Sequence, residues 1–211
     1  MRSWFRPSTS IPIEEQLVRL SENGVRPRSG VTARDVRAML KHLKAEGSGY
    51  PATLCALGAA QVLGDGDATF LSDDVWYFDA ACIAGPGAYA LVVTRLAQML
   101  PREFPARNAV DSIRIEDWRA SVSFELGDER LHWTQRVLDA WLDETLFVRI
   151  NQLIDARDHG WHGGADGAEP GAPRRLWQVP LPGRQRLIVA ATTAHGRRLA
   201  QTCGLALRTI V

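Results

Sequence analysis

The stretch that decides the fold is residues 118–137, WRASVSFELGDERLHWTQRV, in which apolar and polar side chains alternate on both sides of Gly127-Asp128. Alternation with a period of two predicts β-strands with one buried face, and a glycine-first pair is typical of a two-residue type II′ hairpin turn. This turn would pair Phe124 with Leu131, Val122 with Trp133 and Trp118 with Val137 on one face, and Glu125 with Arg130, Ser123 with His132 and Ser121 with Thr134 on the other. Because a slip of one residue would mix the apolar and polar pairs, the stretch predicts an antiparallel hairpin.

Elements on both sides of the hairpin extend this prediction. Ile113 and Ile115 alternate with Arg114, which adds a strand and makes a three-stranded antiparallel meander. Apolar stripes with helical spacing predict helices around Ile13–Leu20, Val36–Leu43, Tyr89–Leu100 and Leu146–Ile154, and a shorter helix over Thr193–Gly204. The sequence therefore predicts an α+β fold with an antiparallel meander, helices packed on one face of it and a helical N-terminal region.

The chain is predicted to be a single α+β domain over 1–211, with a helical part at 12–64 and a sheet-containing part at 70–211. Further strands are expected at Asp74–Asp79, Leu187–Ala191 and 205–207, while the stretch 52–63 fits a helix or a strand. Residues 158–173 contain five glycines and two prolines. This composition predicts a flexible loop or a disordered insertion.

Composition restricts the compartment and the partners. The chain has 25 basic and 24 acidic residues, a net charge of +1, which supplies no overall field to attract nucleic acid or an anionic membrane. Cys55, Cys82 and Cys203 are far apart and indicate reduced thiols. Residues 1–12 have no apolar core of a signal peptide, and no apolar run reaches the length of a membrane span. We expect a cytoplasmic protein that binds neither nucleic acid nor membrane.

The best metal-like set is His159 and His162 with Asp158 and Asp166. Imidazole and carboxylate groups suit Zn²⁺ or a redox metal. The spacing matches no established zinc pattern, however, and the glycine-rich surroundings supply no rigid second layer of hydrogen bonds. The sequence therefore predicts a solvated loop, with no metal and no cofactor.

Three carboxylates, Asp73, Asp74 and Asp79, bracket the aromatic strand. Such groups can coordinate Mg²⁺ or act as acid and base, but aspartates beside a strand more often cap turns. Ser123 beside His132 has neither a glycine elbow nor an obvious orienting acid. No catalytic residue is assigned, and an enzyme is less expected than a binding protein.

The motif Leu71-Ser72-Asp73-Asp74-Val75-Trp76-Tyr77-Phe78-Asp79, with Cys82-Ile83 and Gly87-Ala88-Tyr89, resembles a family of uncharacterised bacterial cytoplasmic proteins. The hairpin followed by Asp139-Ala140-Trp141-Leu142-Asp143 extends the resemblance over about residues 70–155. The family is similar to the immunity proteins encoded beside polymorphic toxins. In that family we expect acidic residues or a histidine after Cys-Ile, whereas this chain has Ala84-Gly85-Pro86.

This resemblance implies a protein that binds and neutralises a cognate bacterial toxin by protein–protein interaction. The alternatives are a small enzyme that uses the Asp73/Asp74/Asp79 region and a scaffold subunit. Because tight interfaces depend on a few aromatic and arginine anchors, we expect the partner-binding residues among those near the capped helix and in the late loops. They are Asp139, Trp141, Trp161, Arg174 and Arg175.

Overall fold

The computed structural model describes residues 11–44, 49–62, 68–114, 116, 118–137, 139–158 and 171–210. The chain divides into two compact units. The first consists of Met1–Phe78 and Trp177–Thr209, and the second of Asp79–Leu176 and Ile210–Val211. A single domain over 1–211 stays a prediction.

The described residues form helices and antiparallel sheets, which confirms the α+β class. The helices are α1 (Ile13–Glu22), α2 (Ala33–His42), α3 (Tyr50–Gly58), α4 (Ala88–Met99), α5 (Thr145–Asp158) and α6 (Thr193–Cys203). The strands are β1 (Gln61–Val62), β2 (Ala68–Thr69), β3 (Val75–Asp79), β4 (Ala106–Arg114), β5 (Arg119–Leu126), β6 (Glu129–Arg136), β7 (Arg174–Val179), β8 (Gln185–Thr192) and β9 (Arg208–Thr209). Within the described residues, no helix is both long and apolar enough to cross a membrane.

The helical N-terminal region forms as its capping signals predict. Thr32 donates from its backbone nitrogen and its hydroxyl to the Asp35 carboxylate, which confirms the predicted capping box of α2. The stretch that fitted a helix or a strand begins with α3, where Pro51 lies in the first turn and its missing N–H costs no hydrogen bond. Apolar side chains of α1, α2 and α3 share one core with residues of β8 and α6.

In the described residues, a four-stranded sheet has the order β3-β8-β7-β9. Two expectations about its strands are wrong. Arg174 and Arg175 were expected in late loops, but they begin β7, whose apolar Leu176, Trp177 and Val179 are buried. The last strand is Arg208–Thr209 rather than 205–207. Most of the predicted loop, 159–170, lies outside the described residues.

The second unit contains the antiparallel meander β4-β5-β6. Its hairpin has the predicted register, with Phe124 opposite Leu131 and Val122 opposite Trp133. Gly127 has φ +68° at the first turn position, as a type II′ turn requires. Helix α4 packs against β4 and β5, and Phe124 makes edge-to-face contacts with Phe104 and Trp133.

One side chain of the hairpin departs from the prediction. The carbonyl of Trp118 accepts a hydrogen bond from the backbone nitrogen of Val137, so the two residues are paired as expected. The Trp118 side chain, however, is 49% exposed and does not join the buried face. Because Trp118 has φ +51°, strand β5 begins only at Arg119. The alternation that would point the Trp118 side chain inward therefore does not extend to it.

Candidate partner-binding surface

The segment Arg136–Asp143, which follows β6, is closed at its base by hydrogen bonds. The backbone nitrogen of Arg136 donates to the Asp143 carboxylate at 2.9 Å. The buried hydroxyl of Tyr89 donates to the Arg136 carbonyl at 3.0 Å and accepts from the Asp143 backbone nitrogen at 3.1 Å. One tyrosine from α4 therefore holds both ends of this segment.

The two ionisable groups of this network keep the protonation states that it needs. Burial raises the pKa of Tyr89 to about 12, so the phenol stays neutral and can donate. Partial burial by itself would raise the pKa of Asp143, but the hydrogen bonds from Arg136 and Thr145 outweigh it and hold that pKa below its ordinary value. The carboxylate therefore stays charged at neutral pH.

The middle of the segment is also fixed. The Ala140 carbonyl accepts from the backbone nitrogen of Ile83 at 2.9 Å, and the Leu142 backbone nitrogen donates to the Ala80 carbonyl at 2.8 Å. Trp141 lies between these two anchors with 37% of its surface exposed. The backbone thus presents a large aromatic side chain to solvent from a rigid position.

Trp118 borders the same segment through its hydrogen bond to Val137. A bulky residue at φ +51° is a conformational outlier, and such strain persists where the surrounding structure imposes it. Asp139 also has a positive φ, +47°, which a short polar residue tolerates better. The structure therefore brings two exposed tryptophans to the same end of the meander.

An arginine row crosses the meander next to Trp118. Arg114 lies opposite Arg119, and Arg119 lies opposite Arg136, and all three are exposed. Neighbouring strands are about 4.8 Å apart, so the row is only about 10 Å wide. Within the described part of the chain, no ion pair engages Arg119 or Arg136. We call Trp118, Trp141 and this row the tryptophan–arginine surface.

The structure unites only part of the predicted partner-binding set. Trp141 belongs to the tryptophan–arginine surface and Asp139 lies in the same segment, while Trp161 lies outside the described residues. The backbone nitrogen of Arg174 donates to the Glu103 carboxylate at 3.2 Å, and Arg175 forms an ion pair with Asp155. These contacts fix the first residues of β7 within the second unit, and a role of Arg174 and Arg175 in partner binding stays a prediction.

The three aspartates of the enzyme alternative form hydrogen bonds that stabilise the fold. Asp73 accepts two hydrogen bonds from the Arg28 guanidinium, at 2.9 and 2.5 Å. Asp74 accepts from the backbone nitrogen of Arg26 at 2.7 Å, and Asp79 from that of Ala81 at 2.8 Å. Asp79 thus caps the turn that follows β3, as expected for an aspartate beside a strand. Asp73 and Asp74 instead hold the distant segment around Arg26 and Arg28.

Nucleophile and metal chemistry find little support in the described residues. Burial raises the pKa of Cys55 to about 12 and that of Cys82 to about 11, so both thiols are protonated at neutral pH. Within the ranges that the structure describes, no group of three or more metal-ligating side chains is present. His159, His162 and Asp166 of the predicted metal-like set lie outside those ranges.

Sequence reasoning missed Trp118 and the arginine row. The hairpin register, which pairs Trp118 with Val137, already implies that Arg119 faces Arg136. Like charges directly opposite each other destabilise a sheet, so this pair was a signal that could have been read.

Comparison with known proteins finds no family model, no curated protein and no solved structure that matches this chain.

Proposed function

We propose that this chain is an immunity-type protein of the bacterial cytoplasm that binds a cognate toxin and neutralises it by protein–protein interaction. The observation that carries the proposal is Trp118, a half-exposed tryptophan held at φ +51° beside the arginine row. Strained residues cluster at functional sites, and exposed aromatic anchors with neighbouring arginines are typical of binding hot spots.

The hydrogen bonds that fix Arg136 and residues 140–143 support a binding role. A side chain that is fixed before association loses little conformational freedom when the partner arrives, and this preorganisation increases affinity. The anchors on both sides of Trp141 and the Tyr89 network supply such rigidity. Toxin neutralisation requires tight binding, which this kind of surface favours.

Two further observations agree with the proposal. Asp73, Asp74 and Asp79 already hold local structure, which disfavours the enzyme that would use them. The three cysteines are free, in agreement with a reducing cytoplasm. A scaffold subunit would not need a strained tryptophan at the surface.

The test is co-expression with the toxin encoded beside this gene, with growth rescue as the readout. We expect the wild-type chain to rescue growth. Trp118→Ala and Trp141→Ala should each weaken capture of the purified toxin by roughly 2 kcal/mol or more if they are hot spots. The matched control is Val18→Ala, which trims an apolar side chain that is 56% exposed on α1 in the other unit.

The aspartates supply the opposite control. Asp73→Asn and Asp79→Asn should leave rescue unchanged once thermal melting verifies that the variants fold. If the wild-type chain does not rescue growth and either aspartate variant abolishes turnover of a small molecule, the enzyme alternative replaces this proposal.

A further inference from the structure

The outer face of the meander is strongly basic. Its outward positions, by register, are Arg114, Arg119 and Arg136; Ser112, Ser121 and Thr134; Val110, Ser123 and His132; and Arg107, Glu125 and Arg130. Five arginines against one glutamate give this face a charge of +4, whereas the whole chain carries +1. Glu125 is also engaged, since its carboxylate accepts from the side-chain amide of Asn108 at 2.7 Å.

The edges of the same sheet do not favour strand addition. At the β6 edge, the Arg136 nitrogen donates to Asp143 and the Thr134 carbonyl accepts from Arg149 at 3.2 Å. At the β4 edge the register shifts between Arg107 and Val110, where Asn108 has φ +51°. Capped groups and bulges prevent an extended peptide from pairing with an edge. A partner would therefore use the face.

The chemistry of the face favours carboxylates over nucleic acid. Single-stranded nucleic acid is held on successive aromatic platforms, but the outward positions of the three strands include no phenylalanine, tyrosine or tryptophan, because Phe124 and Trp133 face inward. Guanidinium groups bind carboxylates in a bidentate geometry, and the serine and threonine hydroxyls add donors.

We propose that the outer face of the meander docks an acidic, carboxylate-rich surface of the partner protein. This inference rests on the proposed function, because the partner is the toxin. Arginines on neighbouring strands are about 5 Å apart, which is close to the spacing of side chains three or four residues apart on a helix. A toxin helix with acidic residues at that spacing would match Arg119 and Arg136.

The test uses a labelled polyglutamate peptide as the probe, with fluorescence anisotropy as the readout. We expect salt-sensitive binding that weakens about tenfold in the double variant Arg119→Gln/Arg136→Gln. The matched control, Arg197→Gln/Arg198→Gln, removes the same charge from exposed positions of α6 and should change the affinity little. Thermal melting verifies that both double variants fold.

Three outcomes of the peptide assay would overturn the inference. They are an absence of binding to polyglutamate, an equal loss in both double variants, and tighter binding to a single-stranded oligonucleotide of matched charge. The same variants then enter the toxin rescue assay. If Arg119→Gln/Arg136→Gln still neutralises the toxin at wild-type dose, the toxin does not use this face, and this inference fails while the proposed function stands. If the wild-type chain does not neutralise the toxin, the proposed function fails.

Discussion

Arg119 and Arg136 lie directly opposite each other on adjacent antiparallel strands, although both side chains carry a positive charge. Like charges at opposite positions destabilise a sheet. We therefore expect Arg119→Gln to raise the free energy of unfolding by a few tenths of a kcal/mol, up to about 1 kcal/mol. Urea denaturation at low salt measures this change, and added salt should shrink it. Arg197→Gln, on exposed α6, should leave stability unchanged, and a loss of stability in Arg119→Gln would contradict the prediction.

Substitutions at Trp118 separate the effect of backbone strain on stability from the effect of the aromatic ring on binding. In both Trp118→Gly and Trp118→Ala the aromatic anchor is absent, but only glycine adopts φ +51° at no steric cost. We expect Trp118→Gly to be more stable than Trp118→Ala by about 1 kcal/mol, while both lose toxin capture to the same extent. Thermal or urea denaturation measures the first difference. Equal stabilities would mean that the backbone at residue 118 relaxes when the side chain is removed.

Asp143 should make stability depend on acid pH. Because the folded-state pKa of this carboxyl is lowered, its contribution is fully present above the unfolded pKa of about 4 and is lost as pH falls through the folded value. Asp143→Asn should therefore be less stable than the wild-type chain at neutral pH, and the difference should shrink on acidification. Urea denaturation at several pH values measures it. Asp128→Asn, in the exposed hairpin turn, is the control, and a difference that grows at low pH would refute the sign.

Gly58 is required by close packing. A Cβ atom there would lie 2.8 Å from the backbone nitrogen of Tyr77 and 2.8 Å from a Val75 methyl group. Since the backbone of β3 cannot move aside cheaply, Gly58→Ala should cost about 1–3 kcal/mol. At Gly85 an added Cβ meets nothing within 4 Å, so Gly85→Ala should cost little. Comparable melting temperatures for the two variants would show that β3 yields to the added methyl group.

The hairpin could be predicted from the sequence because two independent signals agree there. The Gly127-Asp128 turn and the polarity of the opposed pairs give the same register, and the structure has it. The helices followed for a similar reason, since apolar spacing and caps such as Thr32 with Asp35 coincide. Strand β7 was missed because its two leading arginines follow a glycine- and proline-rich stretch, so local composition indicated a loop.

The candidate surface was less predictable because it depends on single backbone torsions. Alternation assigns Trp118 to the buried face, and only its φ of +51° turns the ring outward. The register shift beside Asn108 also depends on one left-handed residue, which changes the β5 residues that the β4 residues pair with. Periodicity along the sequence does not encode such local departures. Trp141 was a candidate from the sequence because it precedes the capped helix α5, and its role in partner binding stays a prediction.

The arginine row also affects association between copies of this protein. Stacking two outer faces would bring the rows of both copies together, and their guanidinium groups would repel before any apolar contact formed. With one strand edge capped and the other bulged, copies are also discouraged from joining their sheets into a longer one. We therefore expect the outer face and the edges of the meander to disfavour self-association.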